Sequence, residues 1–148
     1  MFASSSRRVP RAHLDPVCCV DDALAIFNMQ ITRSMRPDTV TLAMFLDDAW
    51  CGSTVVTITD TPDPFQIVEV AEAMAMAGAG NPDIASLVLA TVRPSGGPFH
   101  DDDELWREAV EVVEQCGLTL IDWFVIGRHG TLSPRALIGA PSRWPDQS

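Results

Sequence analysis

Between Phe99 and Glu104 the chain reads FHDDDE, an imidazole followed by a run of carboxylates. Gathered on one ion, His100, Asp103 and Glu104 would offer three protein ligands and leave a position for water, as a metal-dependent hydrolase requires. The simpler reading is structural. Adjacent residues at a helix start point in different directions, and acids there cap the helix and favour its dipole by roughly 0.3–1 kcal/mol each. Nucleophiles are sparse. Ser95 has no histidine at a predictable spacing and no G-x-S-x-G around it, so it reads as a turn residue. Cys18 and Cys19 lack an evident base, and His13 and His129 stand alone. Every cation is an arginine, which removes lysine nucleophiles and Schiff-base chemistry.

The elements that must position these groups follow from periodicity. Val20, Leu24, Phe27, Ile31 and Met35 recur at helical spacing, predicting a helix over 21–34 capped by Asp21 or Asp22. Two β-rich runs, 39–48 and 52–60, flank Trp50-Cys51-Gly52 as a hairpin. TPDPFQ predicts a helix start with Asp63 at the cap and Pro64 behind it; that helix turns Ile67, Val70, Ala71 and Met74 inward and stops near GAGNP. GAG at 78–80 therefore closes a helix and does not cradle a phosphate. The run 84–92 is apolar almost throughout, as a central strand buried on both faces is. A helix from the aspartates to about Cys116 buries Trp106, Ala109, Val110 and Val113, and Gly117 ends it. A strand over 118–127 follows, then GTLSPRAL as a short last strand. The alternation predicts an α/β sandwich, a mixed sheet flanked by helices.

At 148 residues this is one domain, able to bury roughly 70% of its unfolded surface. We expect a disordered tail over 1–16, the domain over 17–140 and a second tail over 141–148, with Trp144 as an anchor. The net charge of -10 argues against a broad nucleic-acid contact, which needs a basic face. Cys18, Cys19, Cys51 and Cys116 form no C-x-x-C pair and read as packed, reduced thiols. MFASSSRRVPRAH has no apolar core of a secretory leader, and no run reaches the roughly 18 apolar residues of a membrane span. A cytoplasmic protein is expected.

From Thr39 to Leu137 the chain resembles the RadC-like branch of the JAB/JAMM (MPN) metalloprotease-fold domains. MFLDDAW, LVLATVRPSGGP and LTLIDWFVIG stand in the family's order and at similar spacings, and Pro94-Ser95-Gly96 with Pro98 is the most specific short match. The resemblance implies a three-layer sandwich of the cytidine-deaminase-like kind. It also implies a site. The family's acid/base glutamate falls on Thr39, its two zinc-ligand histidines on Thr91 and Arg93, its oxyanion serine on Asp101 and its aspartate ligand on Glu104. Threonine is a poor zinc ligand, and Arg93 sets a permanent cation at the metal's seat.

The resulting expectation is an inactive RadC/JAB-like domain, without cofactor, serving as a binding or scaffold module. It would act with a protein partner or as a homodimer, away from membranes. The alternative is a JAMM-type metal-dependent hydrolase with a site rearranged around His100, Asp103 and Glu104. Within the first reading, Arg93 takes the metal's place as cation and pairs with Glu104 or Asp101.

Overall fold

A computed structural model describes residues 9–34, 40–58, 66–93, 101–127 and 130–145. In chain order the elements are α1 (Val20–Ser34), β1 (Val40–Leu46), β2 (Gly52–Ile58), α2 (Gln66–Ala79), β3 (Ser86–Arg93), α3 (Asp102–Gln115), β4 (Thr119–Gly127), β5 (Gly130–Leu132) and α4 (Pro134–Leu137). The sheet runs β2-β1-β3-β4-β5. Its one parallel pair is β3 with β4, and the others are antiparallel. A mixed sheet follows from the connections: β1 and β2 join by a tight turn, whereas α3 carries the chain back so that β4 starts beside β3.

Alternation along the strands divides the core into two layers. Ala43, Phe45, Leu87 and Leu89 point to the side that α2 and α3 cover with Ile67, Ala71, Leu105, Trp106 and Ala109. Leu42, Met44, Val88 and Ala90 point to the other, where α1 brings Ala23, Ile26 and Phe27. The central strands are therefore apolar at nearly every position, while each helix needs one apolar stripe only.

Local chemistry sets the ends. Asp21 and Asp22 lie inside the first turn of α1 and not at its cap; Asp22 reaches back to accept the Cys18 amide at 3.1 Å. The expected Asp63 cap of α2 lies outside the described residues. Gly117 closes α3 at φ +86°, a left-handed conformation that glycine adopts without strain, and its amide bonds the Glu114 carbonyl. GTLSPRAL does not form one strand. Ser133 accepts the Ala136 amide and Pro134 follows with its φ preset, so the chain leaves β5 and starts α4 there.

Two described segments outside the strands and long helices, near the two ends, are tied to the sheet. Residues 9–16, assigned to a tail by sequence, run beside the hairpin: the His13 amide bonds the Gly52 carbonyl, and Pro16 bridges Cys51. At the other end Trp144 is only 2% exposed, stacked on Phe124 and packed against Trp50.

Candidate functional site

Thr91 and Arg93 stand two residues apart on β3, so both face α2 and α3. Thr91 lies opposite Thr41 of β1, and their hydroxyls meet at 3.3 Å. The indole N–H of Trp123, from β4, donates to the Thr91 hydroxyl at 3.0 Å. The guanidinium of Arg93 sits 5.7 Å from the centroid of the same indole ring, within cation–π range.

Arg93 is 4% exposed and its carboxylate partner Asp102 is 3% exposed. Nη1 donates to Oδ2 at 2.9 Å and Nη2 to Oδ1 at 3.0 Å, a bidentate fork that fixes both planes. This pair ties the end of β3 to the first turn of α3. The sequence expectation of Glu104 or Asp101 as the fork's partner is corrected here: the carboxylate is Asp102, and Glu104 is exposed. Asp101 occupies the cap of α3 without a side-chain cap bond.

Successive helical residues turn by about 100°, and the three acids of the first turn show it. Asp102 points inward, Asp103 pairs on the surface with Arg107 at 3.7 Å, and Glu104 faces solvent. His100 and Thr39 lie outside the described residues, as does the turn from Pro94 to Pro98. Among the described residues no group of three His, Cys, Asp or Glu side chains could hold a metal ion. Nor does the donor set at the resemblance's zinc seat fit that metal. The Thr91 hydroxyl is committed to Thr41 and Trp123, and the next place holds a cation already neutralised by a carboxylate.

A second buried polar cluster lies on β4. Asp122, fully buried, accepts from the Ser133 hydroxyl at 2.7 Å, Arg135 Nε at 3.2 Å, the Trp144 indole at 2.9 Å and the Trp123 amide at 2.9 Å. Arg135 also donates to the Ala140 carbonyl at 3.2 Å. Among the described residues no buried side-chain nitrogen or oxygen lacks a partner. Such saturation is what a structural network needs.

Two signals for these residues were present in the sequence. The inward stripe Leu105, Trp106, Ala109 and Val113 extrapolates back to Asp102, three and four residues before its first members. Residue-by-residue carry-over from the family favours Glu104 instead, off that stripe. Asp122 is the lone carboxylate in the apolar run LTLIDWFVIG, and a buried carboxylate must have partners. Of the cysteines, Cys51 is buried, and burial together with Asp47 and Asp15 pushes its thiol pKa up, away from nucleophilic use. No protein-family profile matches the chain, and no curated protein sequence is significantly similar to it.

Proposed function

We propose that this chain is a RadC-like JAB/MPN-fold domain without catalysis, acting in the cytoplasm as a binding or scaffold module. The observation that carries the reading is the buried Arg93–Asp102 fork at the zinc seat the resemblance implies. The hairpin, helix, central strand, helix and strand occur in the order that the resemblance expects. A guanidinium held on an aromatic ring and locked to a carboxylate cannot ligate a metal, and it stands where the resemblance implies a histidine ligand. No helix among the described residues is long and apolar enough to cross a membrane, in keeping with action away from bilayers. Partners are then proteins, either a second copy or an active relative.

Elemental analysis of the dialysed protein, paired with cleavage assays on peptide and lysine-linked isopeptide substrates, tests this reading. The expected result is no stoichiometric zinc and no cleavage. About one zinc retained per chain would overturn it, because three-ligand sites hold zinc through dialysis.

A further inference from the structure

We infer that the groove between α1 and β2 binds a small amphipathic acid, an aliphatic chain of about ten carbons ending in a carboxylate. The groove lies on the α1 side of the sheet, opposite the helices that face Arg93, so the inference stands whether or not the domain hydrolyses anything. Its volume is about 260 Å³. Val17, Ile26 and Met44, all buried, form the floor, and Val55 of β2 walls one side. Such a surface holds water poorly and gains by taking up an apolar molecule. An apolar cavity of roughly 150 Å³ accepts benzene, which scales to about ten carbons in this volume. The lining carries no aromatic ring, so a flat ligand has nothing to stack on. Two methionines, Met29 and Met44, instead adapt to a flexible chain.

The polar groups of the lining choose the head. They are Arg11, Gln30 and Thr54, and none is an acid. Arg11 and Thr54 are exposed and Gln30 is half-buried, which sets all three toward the mouth above the apolar floor. Asp15 accepts from Arg11 Nε at 2.9 Å and Nη2 at 3.3 Å. Those bonds fix the guanidinium plane and leave its Nη1 edge for a second acceptor. In a chain of net charge -10, a groove whose only charged lining group is a cation suits an anionic head. Asp15 offsets part of that charge, so the head adds selectivity while burial of the chain supplies most of the affinity.

Isothermal titration calorimetry of the intact, dialysed chain with hexanoate, octanoate, decanoate and dodecanoate, each below its micelle concentration, tests the site. The expected result is one site per chain, with Kd falling about fourfold per added methylene until the groove is full. Dodecanoate should then gain nothing over decanoate. Arg11→Gln should weaken decanoate about tenfold and leave decanol unchanged. Ala12→Trp, which fills the groove from its exposed rim, should abolish binding of both, while Met76→Glu, on α2 across the sheet, should alter neither. Circular dichroism melting confirms that each variant folds; if Arg11→Gln does not, Gln30→Glu, which sets an acid at the mouth, replaces it. No binding of any of these acids overturns the inference, and a groove closed by a second copy or by another part of the chain would give that result. Affinity that keeps rising to dodecanoate and ignores Ala12→Trp marks surface adsorption and overturns it too. Decanol bound as tightly as decanoate overturns the choice of a carboxylate. Zinc retention or proteolysis would overturn the preceding proposal and leave this test intact.

Discussion

Truncating Arg93 to alanine leaves the Asp102 carboxylate 3% exposed with its bidentate partner gone. Removing one member of a buried pair costs about 3–5 kcal/mol, although the intact pair can contribute little net stability against an apolar replacement. Chemical denaturation should therefore show Arg93→Ala and Asp102→Asn each strongly destabilising, with the double variant well short of their sum. Additive losses would mean that the fork carries no coupling. Glu104→Gln, on the exposed side of α3, should change stability little. A second residue-scale expectation concerns alkaline pH. The chain has no lysine and no tyrosine, and Cys51 is a buried thiol. Burial raises the Cys51 pKa from its ordinary 9.0, so the folded state holds a proton that the unfolded chain releases first. That contribution to stability is complete below pH 9.0 and lost as pH climbs through the folded value. Thermal melts between mildly and strongly alkaline buffer should show a falling Tm that Cys51→Ala flattens.

At the scale of elements, α2 packs so closely that one of its positions takes a side chain only if its neighbours shift. A Cβ on Gly78 would stand 2.9 Å from Leu118 Cδ1 and 3.1 Å from Phe45 Cε1. Glycine within a helix ordinarily costs about 1 kcal/mol relative to alanine, so propensity alone favours substitution. Packing opposes it. Gly78→Val should lower stability by about 1–3 kcal/mol in denaturant titration, the range for overpacked cores; an unchanged midpoint would show that α2 can move away from the sheet. The elements themselves were legible because each central strand is apolar at nearly every position and each long helix carries one apolar stripe. In GTLSPRAL the short strand expected is there as Gly130–Leu132, but Ser133 caps a helix that takes up the second half. The buried pair was half legible: Arg93 announced itself as a cation at a strand end, but three consecutive acids offered it partners. Only the phase of α3, set by Leu105 and Trp106 against the sheet, selects Asp102.

Across the whole molecule, acids outnumber arginines two to one, 20 against 10. Much of this charge lies on the outer faces of α2 and α3, where Glu69, Glu72, Glu104, Glu108, Glu111 and Glu114 are exposed. Arg143 compensates locally by bonding Glu114 at 3.0 Å, and Arg107 pairs with Asp103. Such surface pairs are each worth about 1 kcal/mol at most, so the fold carries an uncompensated self-repulsion. Added NaCl should raise Tm from its low-salt value and then level off, because the Debye length shrinks to about 10 Å by 0.1 M. A Tm that falls with salt would mean that attractive pairs outweigh the repulsion.

The Asp122 cluster also dictates an order of events during synthesis. The carboxylate leaves the ribosome before Ser133, Arg135 and Trp144, all of which it needs as donors. Until Trp144 emerges, β4 can enter the interior only with a charged group incompletely paired, at a cost of several kcal/mol. The nascent sheet therefore closes late. A chain cut between Arg135 and Trp144 would hold a β4 carboxylate short of its indole donor, and added protease should cleave it faster than the intact chain.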